Sequence, residues 1–173
     1  MIQCTLFDIP RRSHTEYRPK EFKLTVLREL PVGGQWSLVT EPGKVDAYWR
    51  EHCQTHPAFV PDVETFWVLL VNTKRHVLGH LLVSTGILDT ILVSPREVFR
   101  PACIAAAAAI ILVHNHPSGD PTPSEADIKT TRDLIRAGEI MKIQVLDHVI
   151  VGIPDPIAGR RGYCSLRELG YFS

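Results

Sequence analysis

The chain has 173 residues, of which 45% are hydrophobic and 22% are charged, so we expect one substantial core with a small extension. Lysine plus arginine number 19, as do aspartate plus glutamate, and this balance creates no overall field that would attract nucleic acid or an anionic membrane. The longest apolar run, Ile104 to Val113, is too short to span a bilayer. These features predict a soluble globular protein.

Four cysteines, at positions 4, 53, 103 and 164, form no C-x-x-C pair and are spaced too widely for a disulfide framework. The first residues lack the basic and apolar regions of a signal peptide. We therefore expect reduced thiols and a cytoplasmic location.

The N-terminal part contains turn signals and one stretch of helical periodicity, Val45 to His52. We interpret residues 1–60 as a small extension and residues 61–173 as the main domain. His52 and His56 have a spacing that metal ligands on a helix use, but the segment lacks the glutamate of H-E-x-x-H and an obvious third ligand. Surface positions are the favoured interpretation of these two histidines.

Several short runs have β-strand character. Phe66 to Val71 and His76 to Val83 are apolar, and the Asn72-Thr73-Lys74-Arg75 segment between them has turn chemistry, which predicts a hairpin. The other predicted strands are 87–93, 110–113, 142–146 and 149–151.

Helices are expected between the later strands. Pro95 opens a helix that Pro101 should kink or interrupt before the alanine run continues it. A second helix is expected over residues 123–138, ending near Gly138, and a short one after Gly159.

The segment after the 110–113 strand carries the chemistry. It reads H-x-H, a spacer and S-x-x-D, formed by His114, His116, Ser124 and Asp127. Histidines separated by one residue at a strand end project to the same side, and a carboxylate from the next helix can complete a three-ligand set. Catalytic zinc uses three protein ligands and a water, whereas structural zinc is normally enclosed by four. The pattern therefore predicts a hydrolytic zinc site.

An alternative interpretation makes Ser124 and Asp127 a helix capping box. However, Thr122-Pro123-Ser124-Glu125 can already supply a cap, with Thr122 as N-cap and Glu125 at N3, which would leave Ser124 and Asp127 free. Helical spacing also places Asp127 on an apolar face, where a carboxylate is costly unless it is paired or bound to metal. The members of that face are Ser124, Asp127, Ile128, Thr131, Leu134, Ile135 and Gly138.

Three stretches, SPREVFRPA, AAAAAIILVHNHPSGDPTPSEAD and VLDHVIVG, resemble the RadC-type branch of the JAB/MPN superfamily, whose metal motif is called JAMM. The resemblance implies an α/β fold of cytidine-deaminase-like architecture, in which helices flank a mixed β-sheet. It also implies a zinc hydrolase site of the metallopeptidase kind. Its metal ligands would be His114, His116 and Asp127, and Ser124 would steady the tetrahedral intermediate.

The family also has a glutamate, a few residues before a V-S-x-G turn, that shuttles the proton. Counting five residues back from Gly86 gives Leu81 in this chain. His80 is adjacent and is a candidate substitute, although on a regular strand it should point to the opposite face. Glu97 lies on the next helix, where its S-P-x-E context predicts a capping role. The sequence thus predicts a metal site whose proton shuttle is missing.

Asp147 and His148 form a polar pair inside apolar surroundings. The ordinary interpretation is a hydrogen-bonded pair in the core. The functional one is that they orient a metal ligand or line a substrate groove, because the same segment recurs in RadC-type chains.

Three functions compete at this point. The favoured one is a zinc metallopeptidase or isopeptidase acting on a peptide or protein substrate. The alternative is an MPN-type interaction module that keeps zinc but has lost its chemistry along with the glutamate. A DNA-repair role is less favoured, because the neutral charge gives little affinity for phosphate. The sequence does not indicate an oligomeric state.

Overall fold

The computed structural model describes residues 38–86, 93–157 and 159–172. Within these ranges the centre of the molecule is a five-stranded sheet, whose strands are β1 (Glu64–Val71), β2 (Val77–Gly86), β3 (Ala109–Asn115), β4 (Gln144–Val151) and β5 (Tyr163–Ser165). Their order across the sheet is β2-β1-β3-β4-β5. Strands β3 and β4 are parallel and the other neighbouring pairs are antiparallel, so the sheet is mixed.

Helices lie on both sides of this sheet. They are α1 (Pro42–Tyr48), which continues as a π-helical turn (Trp49–Cys53), α2 (Pro95–Ile104) and α3 (Glu125–Met141). The arrangement is the α/β fold with a mixed sheet and flanking helices that the sequence predicted. Within the described ranges, the structure contains no helix that is both long and apolar enough to cross a bilayer.

Alternate residues of the central strands enter two separate cores. Trp67, Leu69 and Ile111 point towards α1 and the π-helical turn, on what we call the α1 face. Phe66 and Leu112 point towards α2 and α3, on the α3 face. Because both faces are covered, every residue of β3 is buried, which explains its continuous apolar run.

Most predicted strands are confirmed. The hairpin forms as β1 and β2, and the 110–113 strand forms as β3. The predicted strands 142–146 and 149–151 are one strand, β4, with Asp147 and His148 inside it. The predicted strand 87–93 lies almost entirely outside the described residues.

The expectation for the alanine run was wrong. Helix α2 passes through Pro101 and ends at Ile104, and Ala106 has a left-handed φ of 48° that stops the helix. Ala108 then donates its backbone N–H to Val71 at 2.9 Å, which starts the pairing of β3 with β1. Pairing with a buried strand therefore overrides the helix propensity of alanine.

Two predicted helix ends also differ. Gly138 lies inside α3, and the helix ends instead at Met141, with Lys142 as a left-handed C-cap at a φ of 57°. A Cβ atom at position 138 would lie 2.6 Å from the Ile143 carbonyl oxygen, so the close approach requires glycine there. The expected C-terminal helix is absent from the described residues, since 166–172 form turns. Gly170, with a φ of 87°, adopts a conformation incompatible with a helix.

The first described segment packs against the sheet. Val45, Tyr48 and Trp49 belong to the α1-face core, and Cys53, Cys103 and Cys164 are free thiols. The boundary at residue 60 stays a prediction, because residues 1–37 lie outside the described ranges.

Candidate metal centre

Four side chains that can bind metal meet at one end of the sheet, on its α3 face. They are Glu64, His114, His116 and Asp127, and one ligand atom from each lies within 4.8 Å of all the others. His114 Nε2 is 3.0 Å from His116 Nε2, 3.1 Å from Asp127 Oδ1 and 3.4 Å from Glu64 Oε1.

Strand register brings the first two of these groups together. Phe66 of β1 lies opposite His114 of β3, and their rings stack with centroids 6.0 Å apart. Glu64 precedes Phe66 by two residues and therefore points to the same face. His116 follows His114 by two residues, just past the end of β3. The antiparallel pairing thus sets Glu64 against the H-x-H motif.

Asn115, between the two histidines, fixes the strand that carries Glu64. Its side-chain oxygen accepts hydrogen bonds from the backbone N–H and the hydroxyl of Thr65. Its amide nitrogen donates to the Val63 carbonyl at 3.0 Å. These bonds hold the backbone on both sides of Glu64, which keeps its carboxylate at the cluster.

Helix α3 supplies the second carboxylate through its cap. Ser124 is the N-cap, and its backbone N–H and its hydroxyl both donate to Asp127 Oδ2, at 2.8 and 2.6 Å. The prediction that Thr122 caps this helix was wrong, because the Thr122 hydroxyl donates to Asp120 at 2.7 Å. The capping box therefore exists and orients Asp127, so that Oδ1 is the oxygen nearest to His114.

A backbone carbonyl fixes the tautomer of His116. Its Nδ1 lies 2.7 Å from the Asp120 carbonyl oxygen, which can only accept, so Nδ1 carries the proton. In the neutral ring Nε2 then has a free lone pair directed at the cluster.

The donor set fits a divalent metal ion. In a tetrahedral zinc site, two donors at ordinary ligand distances are about 3.3 Å apart, close to the separations around His114 Nε2. A proton on His114 Nε2 would satisfy one of its neighbours, whereas a cation would satisfy all of them. Imidazole and carboxylate donors suit zinc and several other divalent metals.

Comparison with known proteins agrees with this geometry. A family model described as a RadC-like JAB domain matches residues 39–171. The chain belongs to this family. The match includes every residue of the cluster and begins before α1.

Curated relatives of the RadC-like JAB domain carry the name UPF0758 protein. The one from Desulforudis audaxviator is 56% identical over 91 residues, which cover 53% of this chain and 40% of that protein. UPF0758 protein TTE0897 from Caldanaerobacter subterraneus is 49% identical over 109 residues, covering 63% and 44%. One from Desulfitobacterium hafniense is 50% identical over 109 residues, covering 63% and 45%. The chain thus spans less than half the length of these relatives.

Burial and pairing shift the acidities of the cluster. Burial raises the pKa of Glu64, although the neighbouring histidines oppose it. Burial would also raise the pKa of Asp127, but hydrogen bonds that the His114 and His116 rings donate from Nε2 when they are protonated hold it far below its usual range. Burial would lower the pKa of His116, but the bond with Asp127 raises it overall. Of the two carboxyl groups, Asp127 therefore keeps its negative charge more readily, and Glu64 holds a proton more readily.

Glu64 is the functional candidate that sequence reasoning missed. The predicted strand begins at Phe66, and counting back from Gly86 places the family's carboxylate position on the next strand, at Leu81. Leu81 instead lies on β2, opposite Val68 of β1, and is 38% exposed. The available signal was that Glu64 begins the apolar run two residues before Phe66, in phase with its buried face.

His80 lies on the other face of the sheet. It is opposite Leu69, and its Nδ1 is 2.9 Å from the Tyr48 hydroxyl, with the Trp67 ring beside it. These neighbours belong to the α1-face core. The structure therefore does not bring His80 to the candidate metal centre.

Asp147 and His148 point to opposite faces of the sheet, and a β-bulge just before them decides which face each one takes. Ile110 pairs with Val145 but Ile111 pairs with Asp147, so one extra residue of β4 lies between them. As a result Asp147 faces Ser165, whose hydroxyl donates to it at 2.7 Å, on the side away from the metal centre. His148 faces the metal centre, with Nε2 2.8 Å from His114 Nδ1.

Proposed function

We propose that this domain is a zinc-dependent hydrolase that cleaves amide bonds in peptide or protein substrates in the cytoplasm. The observation that carries the proposal is the position of Glu64 beside His114, His116 and Asp127. Such a site has enough ligands for a catalytic metal and one carboxylate for proton transfer.

His114, His116 and Asp127 would hold the zinc ion. When bound, zinc acidifies water and polarises the carbonyl that is attacked. The two imidazole rings present Nε2, and Asp127 presents an oxygen whose direction the Ser124 cap fixes.

Glu64 is proposed to move the proton. Its carboxylate accepts a proton from the attacking water and delivers it to the nitrogen of the departing amine, so the group ends the cycle unchanged. Its raised pKa, caused first by burial, suits a base that must also act as an acid. Ser124 already donates to Asp127, so a contact with the reaction intermediate stays a prediction.

The interaction-module alternative rested on the absence of a glutamate near the metal ligands. Glu64 removes that reason, since its Oε1 lies 3.4 Å from His114 Nε2. An interaction module would bind zinc and cleave no substrate.

Glu64→Gln separates metal binding from catalysis. We expect the variant to bind zinc, because three ligands remain, but to hydrolyse peptide and isopeptide substrates about 10²- to 10⁴-fold more slowly, since proton transfer is lost. His116→Ala should lose both zinc and activity. Glu125→Gln, an exposed carboxylate at the start of α3, is the matched control and should resemble wild type.

The measurements are zinc content by elemental analysis and hydrolysis of a peptide panel. Wild-type protein that binds zinc but cleaves nothing supports the interaction module instead. Activity that survives His116→Ala contradicts the mechanism.

A further inference from the structure

His148 is a polar side chain with no exposed surface, in the middle of a buried strand. Its Nε2 lies 2.8 Å from Nδ1 of His114, and its Nδ1 lies 2.6 Å from the hydroxyl oxygen of Thr131. Thr131 is also completely buried, and its Oγ1 lies 2.6 Å from the Asp127 carbonyl oxygen. A continuous chain of hydrogen bonds therefore runs from one proposed metal ligand to the backbone of another.

The direction of every bond in this chain follows from its last acceptor. The Asp127 carbonyl can only accept, so the Thr131 hydroxyl donates its single proton there. Thr131 must then accept from His148 Nδ1–H. The His148 ring has no exposed surface, and its two nitrogens face a hydroxyl and another imidazole rather than a carboxylate, so the uncharged ring is favoured and its Nε2 has a lone pair.

The remaining proton lies on His114. Because His148 Nε2 accepts, His114 Nδ1 donates. In the neutral His114 ring, Nε2 then has no proton and directs a lone pair at the cluster.

The β-bulge makes this arrangement possible. His148 lies opposite Leu112, a residue of the α3-face core. Without the extra residue in β4, the alternation of side chains would turn His148 to the α1 face. The bulge therefore serves to aim His148 at His114.

We propose that His148 and Thr131 are positioning residues that hold His114 in the tautomer that binds metal through Nε2. The same chain ties the backbone of Asp127 to His114, so it also sets the distance between two ligands. This inference rests on the proposed zinc site. The position of the proton on the His114 ring can nevertheless be observed without metal.

The variant that tests it is Thr131→Val, which keeps the shape of the side chain and removes the hydroxyl. We expect zinc binding, measured by competition with a chromophoric chelator, to weaken about 10- to 100-fold, as is typical when a residue that orients a metal ligand is lost. Thr131→Ser keeps the hydroxyl and should restore affinity. Thr130→Val is the matched control, because Thr130 is the neighbouring residue and takes no part in these hydrogen bonds.

The second measurement is the tautomer of His114 in metal-free protein, by ¹⁵N NMR of histidine side chains. We expect Nδ1–H in wild type and in Thr131→Ser. A wild-type His114 with its proton on Nε2 overturns the inference, as does unchanged zinc affinity in a folded Thr131→Val. If wild-type protein has the proton on His114 Nδ1 but binds no zinc, the hydrogen-bond chain is supported and only the proposed function is contradicted.

Discussion

Ser124 connects helix capping to metal binding. Its backbone N–H and hydroxyl hold Asp127 Oδ2, while Asp127 Oδ1 lies 3.1 Å from His114 Nε2. Oδ2 also lies 3.5 Å from His116 Nε2, so both carboxylate oxygens face the metal centre and the cap holds the carboxylate there through Oδ2. The structural and functional interpretations of S-x-x-D are both correct for this chain.

Replacement of Ser124 by alanine should therefore have two effects. Loss of the cap should lower the free energy of unfolding by about 1 kcal/mol, measured by urea denaturation. Zinc affinity should fall about 10-fold, because the Asp127 carboxylate is no longer held.

Ser94→Ala is the control for this variant. Ser94 caps α2, where its hydroxyl oxygen accepts from the Arg96 N–H at 3.3 Å. It should lose a similar amount of stability and keep wild-type zinc affinity. Equal zinc affinity in both variants would contradict the coupling of cap and ligand.

The sequence predicted those metal-binding residues that lie close together in one short segment. His114, His116 and Asp127 lie within one motif, and the structure brings them together. Glu64 lies far away in sequence, and its place depends on how β1 pairs with β3. Local spacing carries no information about that pairing.

At the scale of elements, Asp147 joins β4 to β5 and the turn that follows. Its carboxylate accepts from the Ser165 hydroxyl and from the backbone N–H groups of His148 and Arg167. Burial nevertheless raises the pKa of Asp147. The folded protein therefore binds this proton more tightly than the unfolded chain does.

The raised pKa has a defined consequence for stability. The stabilisation from protonated Asp147 is complete below the ordinary pKa of 3.8 and is lost as the pH rises through the folded-state pKa. Asp147→Asn stays neutral and retains one acceptor oxygen. We expect its unfolding free energy, relative to that of wild type, to increase as the pH rises above about 4.

This prediction can be checked by urea denaturation at several pH values in the presence of a chelator. Asp133→Asn, an exposed side chain paired with Lys129, serves as the control and should show no such trend. A difference between Asp147→Asn and wild type that stays constant with pH would contradict the assignment.

Element boundaries were predictable only where local signals agreed with the tertiary structure. The hairpin had both apolar runs and turn residues, and it formed as predicted. The alanine run favoured a helix, but pairing with β1 decided its conformation. Gly138 was predicted to end the helix, but its role is to allow a close approach to the Ile143 backbone, which cannot be recognised from sequence.

At the scale of the whole molecule, the strand order places the metal centre. Because β1 and β3 are adjacent and antiparallel, the start of one meets the end of the other on the α3 face. Helix α3 connects β3 to β4 and delivers Asp127 to that edge. The fold class was predictable from motif resemblance, but the strand order that assembles Glu64 with the histidines was not.

The most direct test is a zinc-edge anomalous diffraction map from crystals grown with one equivalent of zinc. A single strong peak is expected at about 2.0–2.2 Å from His114 Nε2, His116 Nε2 and the Asp127 carboxylate, with the Glu64 carboxylate facing it. A peak at other side chains, such as His52 and His56, or no peak at the cluster, would contradict the assignment of these four residues as one metal centre.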